Sequence, residues 1–577
     1  MKYFIKNKAF FFLFFVFVLG LLFRMYDLNW DENQHLHPDE RFLTMVGNNI
    51  TIPENIQNYL DPNSSTLNPR NNNYDFFVYG LFPITINKVI AQALNNDTYD
   101  LFTIQGRFLS GFADALVIII IFGIVKQLEK KYKIAHEVKY LASLIYALLV
   151  LPIQLSHFFA VDTFLNFFVC MSLYLIIKFA VSYQKRYLLL SSIFFGFAIA
   201  TKISAIYFLP LNFLILFSIQ RQNLISTLPN IFKKKSTIQI NKDFIHTALF
   251  YLTVCIFYGL VTYITVRLSD PYLFESSNFL LPQISSSFIN DVKALKSWEG
   301  DDVWFPPAVQ WISKTPIIFS LQNIAFFGVG IIGFIFFIYG VIHTVLKKRI
   351  FVLIVILLWM GIYVIYQGTQ FVQTMRYYLI LYPFIALFSG IGVQHFVKKL
   401  YSFRFAICIV LFVIYPVSFL SIYIQKHTRV EASEWIYTNI PHGSVIAGEH
   451  WDDVLPVSFP ELSNSLYTYE QLPVFDQDTE EKWDILYTQM NNADYLVLSS
   501  NRGWGSISTL PQRYPRMTRF YTQLFSGETE FQLIKSFSSY PSLKYLGVPV
   551  DFPDYWADEG FTVFDHPQVF IFKKITR

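Results

Sequence analysis

Four short stretches carry ionisable side chains where an apolar chain would rather have none. After the run AFFFLFFVFVLGLLF comes NWDENQHLHPDERFL (29–43), which displays Asp31, Glu32, Asp39 and Glu40 with His35 and His37 between them. Further on, SHFFAVDTFLNFF places His157 and Asp162, ATKISA places Lys202, and QTMRYYLILYPFIALFSG places Arg376 at the start of another apolar run. Acids and cations of this kind suit transfer of a group from a lipid-linked phosphate to a hydroxyl. A carboxylate takes the proton from the attacking hydroxyl, and Lys and Arg stabilise the charge gathering on the leaving phosphate. A lipid-linked donor also removes the need for a nucleotide-binding domain, and the sequence shows no glycine-rich phosphate loop and no internal repeat.

The composition says where these residues must sit. Of 577 residues, 54% are hydrophobic, 19% aromatic and only 15% charged, far from the soluble average of about 25% charged. Runs long enough to cross a bilayer need about 20 helical residues. Eleven such runs are expected, near 9–24, 107–126, 138–156, 162–181, 187–201, 203–220, 245–267, 320–345, 350–366, 377–396 and 403–424. The first has a basic start but no small-residue cleavage site after it, so it reads as an uncleaved span. With a cytoplasmic N-terminus, the inner connectors (2–8, 126–139, 185–186, 221–242, 347–349 and 398–404) hold twenty-one Lys and Arg. The short outer connectors offer little beyond Lys202 and Arg376, which fixes the orientation by the positive-inside rule. The net charge of +4 therefore reports topology, not nucleic-acid binding. Cys170, Cys255 and Cys408 lie in apolar runs without ligand spacing, so neither a disulfide framework nor a cysteine metal site is implied.

The expected architecture is an α-helical polytopic membrane protein with a C-terminal extracytoplasmic α/β domain. Residues 1–425 form the transmembrane module, with outer loops 25–106 and 268–319, and residues 426–577 form the domain. All four charged stretches fall on the outer side. Tyr74–Leu94, broken by Gly80 and Pro83, reads as an interfacial helix. In the domain, Glu431–Thr438 and Arg513–Leu524 read as helices, SVIAG and DYLVLSS as strands, and FTVF with VFIFKK as a closing hairpin.

The HPDERF segment, HFFAVDTFLNFF, the ATK turn and RYYLILYPFIALFSG resemble, in order over roughly residues 1–425, the polytopic glycosyltransferases of the C superfamily. The likeness is to the family of protein O-mannosyltransferases and aminoarabinose transferases. The resemblance implies a polyprenyl-phosphate sugar donor and an active-site Asp-Glu pair in the first outer loop. It makes Asp39 the candidate base, Glu40 its partner and Asp162 a second acid in the cavity, with Arg41, Lys202 and Arg376 as donor-phosphate contacts. The implied enzyme is of hexosyl or mannosyl type, sits in the cytoplasmic membrane among its lipids, and glycosylates a lipid, glycan or protein acceptor of the cell envelope.

Each residue also has a plainer reading. Asp39 and Glu40 suit the acidic first turn of a helix starting near Pro38, and Asp162 suits a helix N-cap. Lys202, Arg376, Arg24 and Arg107 suit interfacial anchors. His35 and His37 alternate with Asp39 as ligands of a divalent metal, zinc or manganese, would, and equally as hydrogen-bonded loop histidines would. The tract SWEGDDVWFPP reads as an ordinary polar outer loop before it reads as a lid over the site. A transporter or lipid flippase is the rival function, and a non-catalytic receptor working through its C-terminal domain is a second.

Overall fold

The computed structural model describes residues 2–227, 242–347, 350–397 and 402–575. The expected inner cations Lys233, Lys234, Lys235, Lys348, Arg349, Lys398 and Lys399 lie outside the described residues. Each expected apolar run falls on helix. Among the described residues seven helices are long and apolar enough to span a membrane, or nine if each of two bent pairs counts as one. The chain is a multi-pass membrane protein.

The differences have local causes. The run 138–156 breaks into Val138–Ala147 and Val150–Ser156, bent by 50°; Pro152 cannot continue a helix through Leu148, four residues before it, because its ring meets that carbonyl. The run 320–345 is Ile318–Gly328 followed by Ile331–Lys347, bent by 117°. Gly330 supplies the turn with φ +79°, a conformation glycine adopts without a Cβ clash. The run 187–201 becomes the seventeen-residue helix Lys185–Thr201.

Two arginines expected at the membrane surface are instead interior. Arg24 is fully buried and donates through Nε to Asp114 Oδ2 at 2.8 Å, while its other nitrogens reach the carbonyls of Gly20, Tyr146 and Ala147. The carbonyls of Tyr146 and Ala147 lie at the break after Ala147, where a helix end offers acceptors. Arg107 is buried equally and binds two carboxylates. Buried charges persist only when paired and hydrogen-bonded in this way.

The C-terminal part carries a five-stranded sheet in the order β2-β1-β3-β5-β4, with β1 Val445–Glu449, β2 Thr468–Leu472, β3 Tyr495–Leu498, β4 Phe531–Phe537 and β5 Val569–Lys574. β1 pairs parallel with β2 and β3, and β5 pairs antiparallel with β3 and β4. Successive side chains of β3 alternate. Leu496 and Leu498 pack with helices Glu480–Asn492 and Pro515–Ser526, and Tyr495 and Val497 pack with helix Thr428–Asn439. The expected FTVF–VFIFKK hairpin does not form. Glu559–Thr562 is a helical turn capped by Asp558, whose side chain accepts from Gly560 N, so β5 takes β4 as its partner instead.

Candidate active site

The first-loop helix runs Pro38–Asn49. Its start follows from sequence: Pro38 has the fixed φ of a first helical residue, Asp39 and Glu40 favour the positive end of the dipole, and His37 caps it by accepting from Glu40 N at 3.3 Å. Consecutive helical residues point about 100° apart, so the two acids part company. Asp39 Oδ2 accepts from Arg376 Nη1 at 2.5 Å. Glu40 turns inward, fully buried, accepting from Arg107 through both oxygens (2.9 and 2.5 Å) and from Phe159 N at 2.6 Å. Arg107 also holds Asp31 at 3.0 and 2.7 Å.

Asp162 lies in the first turn of helix Val161–Ser182, whose cap position is Ala160, so it is not the N-cap. Its Oδ1 accepts from Lys202 Nζ at 2.9 Å. Lys202 stands between helix Lys185–Thr201 and the turn Ile203–Phe208, and its ammonium lies 4.8 Å from the Tyr377 ring centroid. Asp162, Lys202, Arg376, Tyr377, Tyr363 and Gln367 line one cavity of about 110 Å³. Asp39 joins it through Arg376. Two acids and two cations from four separate stretches therefore meet, as two ion pairs.

Burial would raise the Asp39 carboxyl, but the Arg376 guanidinium, with His37 and a hydrogen bond from Tyr79, outweighs it and holds the group well below the usual carboxylate range. Asp39 is thus ionised at any working pH. The same hydrogen bond, with burial as the larger cause, keeps the Tyr79 phenol protonated. Gly80 sets Tyr79 in place: its N donates to Thr201 O at 3.1 Å, and a Cβ there would fall 2.1 Å from Ala200 O. The helix after it begins only at Phe82, with Ile84, Asn87 and Lys88 buried, so the Tyr74–Leu94 segment is half interior and not wholly a surface helix.

Other expected contacts lie elsewhere. Arg41 Nη2 donates to Asp453 Oδ1 at 2.9 Å and its Nε to His35 O at 2.8 Å, which ties the first loop to the C-terminal part and not to the cavity. His35 contacts Asp100 at 2.9 Å and Thr103 at 3.2 Å. Among the described residues no group of three or more His, Cys, Asp or Glu side chains is placed to hold a metal ion, and the imidazoles of His35 and His37 have these other partners. His157 is buried, its ring stacked 3.7 Å from that of Tyr423. In the SWEGDDVWFPP tract, Glu299 pairs with Lys296, and the carbonyls of Asp301 and Val303 accept from Arg513.

One residue that positions the site has no sequence signal beyond an acidic DEG turn. Asp558 Oδ2 accepts from Thr374 Oγ1 at 2.8 Å and from Met375 N at 2.7 Å. The C-terminal part thereby fixes the backbone that carries Arg376.

Residues 103–232 match the family model described as dolichyl-phosphate-mannose-protein mannosyltransferase. The resemblance to the protein O-mannosyltransferase family is borne out over those residues. No curated protein matches the chain. Solved structures similar to it include the oligosaccharyltransferase AglB from Archaeoglobus fulgidus in complex with an inhibitory peptide and a dolichol-phosphate, at 11% identity over 96% of this chain and 75% of that chain, with TM-score 0.49. ArnT from Cupriavidus metallidurans bound to undecaprenyl phosphate is similar at 10% identity over 98% of each chain, TM-score 0.42. The S. cerevisiae protein O-mannosyltransferase Pmt1–Pmt2 complex bound to the sugar donor is similar at 16% identity over 47% of this chain and 35% of that chain, TM-score 0.31.

Proposed function

We propose that the chain is a membrane glycosyltransferase that moves a sugar from a polyprenyl-phosphate donor to an acceptor at the outer face of the cytoplasmic membrane. The observation that carries this reading is the cavity lined by Asp162, Lys202 and Arg376, with Asp39 paired to Arg376, in a chain whose residues 103–232 match a lipid-phosphate-sugar transferase family. The acceptor oxygen attacks the anomeric carbon as the bond from that carbon to the phosphate oxygen breaks, which inverts the configuration. The acceptor proton passes to Asp39, and the electron pair leaves on polyprenyl phosphate, where Lys202 and Arg376 stabilise the charge.

The ion pairs make this order of events sensible. A carboxylate clamped by arginine is a weak base, since its negative charge is already neutralised. A donor phosphate that shares Arg376 loosens that clamp and raises the proton affinity of Asp39 when the acceptor needs it. Asp162 does the same service for Lys202, holding the ammonium in place until the phosphate arrives.

The experiment is sugar transfer by the purified full chain with a panel of polyprenyl-phosphate sugars and envelope lipids, glycans and proteins, read by mass spectrometry. Covalent product from wild type, and far less from Asp39→Asn, supports the reading. The transporter alternative draws on the two bent helix pairs, because broken spans line substrate paths in many transporters. Lipid scrambling in proteoliposomes with no covalent product from any donor would establish it instead.

A further inference from the structure

A second cavity, about 650 Å³, shares no lining residue with the charged one. Its walls include Phe326 and Ile331 from the bent pair, Leu411 and Phe412 from helix Ser402–Ile424, and Val550 and Trp556 from the C-terminal part. Its size lies in the range of small-molecule sites, about 300–1,000 Å³.

The C-terminal wall is fastened to the side of helix Ser402–Ile424. Tyr545 Oη donates to Val417 O at 2.9 Å, and Ser542 N donates to Ser418 O and to Ser421 Oγ, each at 2.9 Å. Val417 lies seven residues before the helix end at Ile424, about 10 Å along the axis. The Trp556 ring packs 4.3 Å from that of Phe327. On this segment Leu546, Val548, Val550, Tyr555 and Trp556 are all exposed. A patch of that kind is costly against water, whereas Trp and Tyr rims are at home where hydrocarbon meets headgroups.

We propose that this groove holds one acyl chain of a bilayer phospholipid, entering between the bent pair and helix Ser402–Ile424 and closed over by segment 543–556. The span residues in its walls face hydrocarbon, and the C-terminal segment encloses what would otherwise be open lipid-facing surface. A phospholipid is favoured over the isoprenoid donor by the placement of charge. Lys202 and Arg376 open on the other cavity, whereas the described lining of this one holds no Lys or Arg, and the nearby Lys544 is paired with Asp551 at 2.5 Å. The seated chain braces Trp556, two residues before the Asp558 that holds Thr374 and Met375. The bilayer would in this way steady the backbone that carries Arg376.

The test uses the full chain in nanodiscs of phosphatidylglycerol and phosphatidylethanolamine with trace phosphatidylcholine bearing a diazirine at one acyl terminus. Labelled peptides are mapped after photolysis. The expected result is labelling around Phe412 and Val550 well above that at Leu358 and Ile362, which are 62% and 67% exposed on an outward helix face. Val550→Trp lowers the groove label about tenfold, the loss that about 1.4 kcal/mol of affinity gives, and leaves label at Leu358 and Ile362 unchanged. Ile331→Trp fills the groove from the helix side and replaces it if the first variant does not fold. Groove labelling no greater than that of the outward face, or unchanged in both filled variants, overturns the proposal. Displacement of the label by polyprenyl phosphate also overturns it, by assigning the groove to the isoprenoid chain. None of these outcomes depends on sugar transfer.

Discussion

Glu40 and Arg107 face each other inside the protein, guanidinium to carboxylate at 2.9 and 2.5 Å, with neither side chain more than 1% exposed. Glu40 therefore belongs to the support of the site, holding the first turn of helix Pro38–Asn49 so that Asp39 points at Arg376. Removing one partner of a buried pair leaves a charge short of its compensation, at a cost of about 3–5 kcal/mol, and here Asp31 retains part of the hold on Arg107. Glu40→Ala is expected to lower the melting temperature in detergent clearly, with Glu40→Gln in between; Asp39→Asn, whose pair with Arg376 is about a quarter exposed, should lower it less than Glu40→Ala. A Glu40→Ala protein that melts like wild type yet transfers no sugar would put Glu40 into the chemistry.

Asp39→Asn keeps the shape of the side chain and removes its basicity. General-base catalysis contributes about 10²–10⁴-fold, so kcat should fall within that span while donor KM changes little. Lys202→Ala should act differently. It loosens the phosphate and unpairs Asp162, raising donor KM as well as lowering kcat. Steady-state kinetics with the best donor of the panel separates the two patterns.

Much of the site is legible in the sequence because charge in an apolar chain is conspicuous. Asp39, Asp162, Lys202 and Arg376 each stand out against their runs, and the structure brings those four together, three lining the cavity and Asp39 paired with Arg376. What the sequence hides is direction. Asp39 and Glu40 look equivalent as letters, yet neighbours on a helix do not share a face, and only packing decides which looks into the cavity. Arg41 illustrates the same limit, since its partner Asp453 lies 412 positions away. Arg24 and Arg107 read as surface anchors because their buried carboxylates, Asp114 and Asp31, come from other segments. The eleven apolar runs are each helical, but a hydropathy run does not register the bends at Pro152 and Gly330.

Arg376→Gln tests the clamp on Asp39. The guanidinium is the largest of the influences holding that carboxyl low, so its loss raises the pKa toward the ordinary range. In wild type the acidic limb of kcat/KM should not reflect Asp39 at all. In Arg376→Gln a new limb should appear at higher pH, where Asp39 now has to lose a proton before it can act as base. Coincident limbs in the two proteins, whatever the absolute rates, would separate Asp39 from the proton transfer.

Asp270 gives a test of stability behind the site. It is buried beside the span Ile245–Ser269, accepts from Leu81 N at 3.2 Å, and lines a small cavity with Tyr79 and Arg70. Among the described residues it forms no ion pair with Lys or Arg, and burial pushes its carboxyl up to about 7 from an ordinary 3.8. The folded protein thus binds a proton that the unfolded chain has released. Stability is then highest below about pH 4, falls as pH rises toward 7, and levels off above it. The shift corresponds to at most on the order of 4 kcal/mol. Asp270→Asn retains an oxygen for Leu81 N and has nothing to ionise, so its melting temperature should match wild type near pH 4 and exceed it increasingly up to pH 8. A parallel pH dependence in the two proteins would show that Asp270 is ionised at neutral pH and finds its compensation elsewhere.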